Sequence, residues 1–174
     1  FDNCEATHEE AILIDKAVTI VGPGTASFTL IAPTNEHGFT IEAQDVVISG
    51  LSIESTRSGI YTKEANNVTL EDISIIQAGN WGVKAEDTTN LSINNSVMSE
   101  NGFGGISVIG GDASISDTLL FGNATTGVKA EGSVLTLTNV EAMNAIPANE
   151  AAPEDGYGLW AIDGSSVTSV DGTF

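Results

Sequence analysis

The chain has 174 residues, with 24 Asp and Glu against 5 Lys and Arg, a formal charge of −19. That balance excludes a basic face for DNA, RNA or anionic lipid, and it suits high salt or calcium-bearing surroundings that screen self-repulsion. No apolar run approaches the ~18 residues of a membrane span, so membrane insertion is not expected, and the single cysteine, Cys4, can form no internal disulfide.

In chain order, the opening at residues 10–24 leads a predicted strand into the corner Val18-Thr19-Ile20-Val21-Gly22. An excursion around residues 26–37 follows. A phrase of glycine, hydrophobic, polar and small residue then begins to recur. It stands at Gly38-Phe39-Thr40-Ile41, Gly59-Ile60-Tyr61-Thr62, Gly82-Val83-Lys84-Ala85, Gly105-Ile106-Ser107-Val108, Gly127-Val128-Lys129-Ala130 and Gly158-Leu159-Trp160-Ala161. The glycines are 21, 23, 23, 22 and 31 residues apart. A second stretch keeps its own register, from Val46-Val47-Ile48-Ser49 through Val68-Thr69-Leu70-Glu71, Leu91-Ser92-Ile93-Asn94 and Ala113-Ser114-Ile115-Ser116 to Leu135-Thr136-Leu137-Thr138. A third, shorter one follows each corner: Leu51-Ser52-Ile53, Ile73-Ser74-Ile75, Val97-Met98, Leu119-Leu120 and Val140. Apolar residues two apart define strands with one buried face, and a fixed period of this size defines a solenoid.

Three short strands in about 22 residues leave only about 3 to 5 residues for each corner, too few for a helix. Antiparallel blades would need a tight hairpin signal in every repeat, and the pair Asn101-Gly102 occurs once. The expected fold is therefore all-β, a parallel β-helix whose six or seven coils stack at about 4.8 Å. Corner asparagines are expected in left-handed backbone conformation at Asn66, Asn67, Asn94, Asn95, Asn101, Asn123 and Asn139. Residues 144–156, with two prolines and three carboxylates, lengthen one interval and are expected to form a corner loop outside the sheets. One domain, 1–174, is expected, as part of a longer exported protein whose further coils continue the solenoid.

Residues 11–142 and 156–172 resemble the right-handed parallel β-helix superfamily, the repeats shared by pectate lyases, polygalacturonases and periplasmic or surface β-helix proteins. The strand and Val-Thr-Ile-x-Gly corner at 10–24 are similar to the first coils of many such proteins. The resemblance implies right-handedness, an extracellular, periplasmic or cell-surface location and, if the chain is an enzyme, action on an acidic polysaccharide. Fold of this kind serves enzymes and non-enzymes alike. The Asn-Thr-Asp, Asp-Asp, Gly-His-Gly and Arg-Ile-Lys strings of polygalacturonases do not occur here. The Asp pair and later Arg of pectin esterases have no identifiable counterpart either. His8 and His37 both fall before the regular coils, and Arg57, on the turn Thr56-Arg57-Ser58, has no evident carboxylate cluster stacked beside it.

The residue after the buried Ile or Val of each first strand should face outward, giving the column Thr40, Tyr61, Lys84, Ser107, Lys129 and Trp160. Tyr61 and Trp160 offer flat faces to sugar rings, and Lys84 and Lys129 can meet a carboxylate or hydroxyl. Four of the five basic residues, Arg57, Lys63, Lys84 and Lys129, lie in or beside this strand. Against that reading, Glu86 and Glu131 stand two residues beyond Lys84 and Lys129, and Glu64 follows Lys63, so local pairing on a solvated sheet also accounts for the lysines. Asp72, Asn95, Asp117 and Asn139 share one corner. Calcium at Asp72 and Asp117 is the metal alternative to side chains that bond their own backbone. No cofactor is otherwise expected. The residues read as an exported or surface-associated scaffold that recognises a polysaccharide or cell-surface glycan, with no catalytic kit evident. The core of a polysaccharide lyase, esterase or hydrolase and a protein–protein adhesion module working through the 144–156 loop remain the alternatives.

Overall fold

The computed structural model describes residues 7–55, 57–143 and 156–174. β1 (Thr7–Glu9), β2 (Ile12–Ile14) and β3 (Val18–Val21) open the solenoid, followed by β4 (Thr29–Ile31), β5 (Phe39–Ile41) and β6 (Gln44–Glu54). Next come β7 (Ile60–Lys63), β8 (Asn66–Ile76), β9 (Trp81–Asn94), β10 (Val97–Ser99) and β11 (Gly104–Phe121). β12 (Thr126–Glu131), β13 (Val134–Met143), β14 (Tyr157–Ile162) and β15 (Ser166–Val170) complete it. Among the described residues there is no helix, and so none long and apolar enough to cross a membrane.

Every strand pairing is parallel, and each joins one coil to the next. Three faces result. The first sheet runs β2–β5–β7–β9–β11–β12–β14. The second runs β3–β6–β8–β9–β11–β13–β15. The third runs β1–β4–β6–β8–β10–β11–β13. The chain is the parallel β-helix that its period requires.

The strands differ from the expected short pieces. β6 and β8 each span 11 residues, β9 spans 14, and β11 spans 18 and covers all three faces. Their corners are one or two residues of positive φ, which turn the strand at a local break in the ladder before pairing resumes on the next face. In β11 these are Gly110 and Gly111 (φ 68 and 73) and Asp117 (φ 48). The second-to-third-sheet corner repeats the device at Gly50, Asp72, Asn95, Asp117 and Asn139. Gly111 also sits where the register shifts, and a Cβ there would lie 1.9 Å from the Thr88 carbonyl oxygen.

Of the predicted corner asparagines, Asn67, Asn95 and Asn139 have positive φ, but Asn66, Asn94, Asn101 and Asn123 do not. Asn101 and Asn123 instead turn inward and are buried. Asn101 Oδ1 accepts from the Ala78 N–H at 2.9 Å. Asn123 Oδ1 accepts from the Asn101 N–H and Nδ2 at 3.1 and 2.9 Å, and Asn123 Nδ2 donates to the Met98 carbonyl at 3.0 Å. Where the corner is buried, the side chain answers backbone groups that water cannot reach.

The core is a set of vertical apolar columns. Val46, Val68, Leu91, Ala113 and Leu135 stand one above another, as do Ile48, Leu70, Ile93, Ile115 and Leu137. Ile53, Ile75, Met98, Leu120 and Ala142 line the third sheet. All are buried. Each large aliphatic among them contributes about 1.5–3 kcal/mol by leaving water. Small side chains also stack tightly: a Cβ at Gly82 would lie 2.7 Å from the Gly105 oxygen and 2.8 Å from Met98. Except for Gly156, residues 144–156 lie outside the described residues, as does Cys4.

Candidate functional site

The first sheet aligns the predicted column rung by rung. Thr40 pairs with Tyr61, Tyr61 with Lys84, Lys84 with Ser107, Ser107 with Lys129 and Lys129 with Trp160. Buried Ile60, Val83, Ile106 and Val128 precede these residues, and strand alternation turns the column outward. Two residues further along, Lys63, Glu86, Ile109, Glu131 and Ile162 form a second outer column.

The two columns interlock. Lys84 Nζ lies 2.6 Å from Glu86 Oε1 and 5.8 Å from the centre of the Tyr61 ring. The Tyr61 hydroxyl donates to Glu86 Oε2 at 2.5 Å. Lys129 Nζ lies 2.9 Å from Glu131 Oε2 and 4.8 Å over the Trp160 ring. The predicted local pairs of Lys84 and Lys129 are therefore present, while Lys63 makes no ion pair with Glu64 among the described residues. Read along the axis, the column is aromatic, lysine, serine, lysine, aromatic. Its centre, Ser107, is only 1% exposed, and its hydroxyl has no hydrogen-bond partner.

The aromatic faces are only partly free. His37 stacks on Tyr61, with centroids 4.9 Å apart and planes at 24°. Tyr157 lies nearly parallel to Trp160 at 6.4 Å. The Trp81 indole packs against the neighbouring rung, which has room for it because residue 104 is glycine: a Cβ there would come 2.1 Å from the indole.

At the Tyr61 end the sheet edge folds into a pocket of about 340 Å³, lined by His37, Arg57, Ser58, Tyr61, Asn80 and Lys84, with Glu36 at its side. The Ser58 N–H donates to His37 Nδ1 at 3.2 Å. The proton of the neutral ring therefore sits on Nε2. Burial first, and then the Arg57 charge, pull the His37 pKa below its ordinary value. Hydrogen bonds from Lys84 and then Tyr61 hold the Glu86 carboxyl below the usual carboxylate range. Burial, followed by the bond to Glu86, pushes the Tyr61 phenol up to about 12.

His37 corrects the sequence reading. His37 does not precede the regular coils. Its neighbour Gly38 donates to the Ser58 carbonyl, and Phe39 pairs with Ile60, so His37 stands one rung from Ser58. The signal was the 21-residue interval from Gly38 to Gly59, which stacks the residues before those glycines.

Asp72 and Asp117 are not brought together. Asn95 occupies the rung between them and donates through Nδ2 to Asp72 Oδ1, while Asn139 Nδ2 donates to Asp117 Oδ1 at 2.8 Å. A depression of about 420 Å³ lies over this ladder, beside Asn95, Asp117, Asn139 and Glu141. Among the described residues no group of three or more His, Cys, Asp or Glu is placed to hold a metal ion.

The family model described as "Right handed beta helix region" matches residues 1–174. Among solved structures, the chain is similar to the catalytic domain of GH87 alpha-1,3-glucanase in complex with nigerose. It is similar to a substituted form of that domain with the same ligand as well. In both cases the identity is 11% and the TM-score 0.46, over 93% of this chain and 39% of the other. The chain thus spans about two fifths of the length of those structures. No curated protein matches it.

Proposed function

The chain belongs to the right-handed β-helix family, and on that premise we propose that it is a scaffold outside the cell or at its surface that binds a polysaccharide along the first sheet. One observation carries this reading: Tyr61, Lys84, Ser107, Lys129 and Trp160 occupy successive rungs of one outer face. Aromatic rings with lysines over them offer apolar area and hydrogen-bond donors side by side, which is what a sugar ring with its CH face and hydroxyl edge requires. In a chain of charge −19, this face also gathers Arg57, Lys63, Lys84 and Lys129, four of the five basic residues. Unlike the corner ladder, whose carboxylates are bonded to asparagine amides, it presents aromatic rings beside lysine–glutamate pairs.

A second reading is the core of a polysaccharide lyase, esterase or hydrolase. The concavity beside Tyr61, where Glu36 faces Arg57 and His37, favours it. Two features favour binding over proton abstraction. The Nδ1 bond makes neutral His37 a donor at Nε2, and the phenol of Tyr61 at about 12 is a reluctant source of phenolate.

Calorimetric titration with glycans chosen from an array, with and without calcium, tests the proposal against Tyr61→Ala and Trp160→Ala. Each substitution is expected to weaken binding about tenfold or more. Affinity indifferent to both removes the column from the account. Release of reducing or unsaturated ends from the bound polysaccharide would replace the scaffold reading with the enzymatic one.

A further inference from the structure

The pocket at the Tyr61 end has a composition opposite to that of the chain around it. Arg57, His37 and Lys84 line it with a single carboxylate, Glu36, in a protein with 24 acidic and 5 basic residues. Among the described residues no carboxylate lies within 4.0 Å of the Arg57 guanidinium, so its planar fork is not spent on an ion pair. Ser58 lines the same pocket and is 1% exposed, and its buried hydroxyl has no hydrogen-bond partner. A buried hydroxyl of this kind is a donor waiting for an acceptor. His37 adds a third donor, because the Ser58 N–H occupies Nδ1 and leaves the Nε2 proton available. The Asn80 amide lies on the rim. Lys84 and the Tyr61 hydroxyl are already engaged by Glu86 and serve as wall rather than as free donors.

We propose that this pocket binds an oxyanion carried on a sugar ring, a uronate carboxylate or a sulfate ester, with Arg57, Ser58 and His37 as its donors. A guanidinium meets two oxygens of either group at once, which a single ammonium does not. Glu36 explains why the oxyanion arrives on a sugar: a bare dianion meets its repulsion, whereas a sugar brings hydroxyls that donate to it. The volume, about 340 Å³, is near the lower end for small-molecule sites and suits one sugar residue rather than several. The proposal rests on the polysaccharide reading only for the ring that bears the charge. The donors themselves are independent of Lys129 and Trp160.

The test uses the whole chain and four probes at low ionic strength: methyl glucuronide, glucose 6-sulfate, methyl glucoside and inorganic sulfate, each followed by NMR titration. At least one charged sugar is expected to bind about tenfold more tightly than methyl glucoside, and the stronger of the two identifies the oxyanion. Inorganic sulfate is expected to bind more weakly than that sugar. Arg57→Gln removes the preference for charge. Ser58→Ala, which also relieves the unpartnered hydroxyl, weakens the charged sugar several-fold while the folded spectrum is retained. Trp160→Ala leaves this monosaccharide binding unchanged, so loss of long-chain binding in that variant with the pocket intact separates the two proposals. Equal binding of charged and neutral sugars, sulfate binding as tightly as the charged sugars, or a charged-sugar affinity indifferent to Arg57→Gln would overturn it.

Discussion

The two ends of the outer column use the same residue types in opposite order, and they close differently. At one end Tyr61 lies a rung before Lys84; at the other, Trp160 lies a rung after Lys129. The Tyr61 end is tied down: its hydroxyl is bonded to Glu86, its ring is stacked on His37, and a pocket opens beside it. At the Trp160 end, Lys129 holds Glu131 and covers the indole, and Tyr157 extends the apolar surface sideways. A phenol O–H and an indole N–H can both donate to a carboxylate, but it is the Tyr61 hydroxyl that holds one here, Glu86. On the proposed reading, the Tyr61 end fixes a ligand and the Trp160 end supports it. Ser107 is the hinge of the mirror arrangement.

The harshest way to break the comparison is to spoil the register that puts both ends on one face. Gly111→Ala places a Cβ against the Thr88 carbonyl at a φ of 73 and is expected to cost about 3 kcal/mol in urea unfolding, with binding lost at both ends together. Next in size, Trp160→Ala should lower polysaccharide affinity by about 1–2 kcal/mol while a charged monosaccharide still binds at the Tyr61 end. Calorimetry with both ligands separates these effects.

Tyr61→Phe sharpens the contrast without removing the ring. It deletes the hydroxyl that bonds Glu86, at a cost of about 1 kcal/mol or less, and lets the Glu86 carboxyl titrate closer to its usual range. Carbon-detected NMR titration of that carboxyl reads the shift. In the reciprocal variant, Glu86→Gln, the phenol should ionise at a lower pH than the wild-type value of about 12.

The pH dependence of stability is smaller. His37 has a folded pKa below its ordinary 6.5, so on acidification the unfolded chain takes up this proton first. The stabilisation is complete above the unfolded pKa, fades as pH falls from about 7, and levels off below the folded pKa. Arg57 and Lys84 work with burial here, and Glu36 works against it. His37→Gln should flatten this slope in denaturation midpoints measured between about pH 7.5 and 5. The smallest effect is expected at the exposed ladder, where Asp117→Asn should change stability by less than about 0.5 kcal/mol.

The coil was legible because stacking makes period visible: Ile60, Val83, Ile106 and Val128 must recur one coil apart if they are to share a column. The outward column followed from the same arithmetic, since alternation fixes the side on which Lys84 and Lys129 emerge. What the period does not encode is the direction in which a side chain leans. Tyr61 reaches Glu86, 25 residues away and in the adjoining column, and no spacing rule distinguishes that from a solvent-facing phenol. Asparagine misled for a related reason. Asn95 and Asn101 look alike in sequence, but one turns an exposed corner and the other fills a buried one, and only the surrounding coils decide which. The pocket was missed because its parts, His37, Arg57 and Ser58, sit at the margins of two repeats and meet only when those repeats stack.

Amide chemical-shift mapping with a bound oligosaccharide tests the central claim most directly. Perturbations should fall on Tyr61, Lys84, Ser107, Lys129 and Trp160 and spare the Asp72, Asn95, Asp117 and Asn139 corner. Shifts concentrated on that corner, with the first sheet silent, would contradict it.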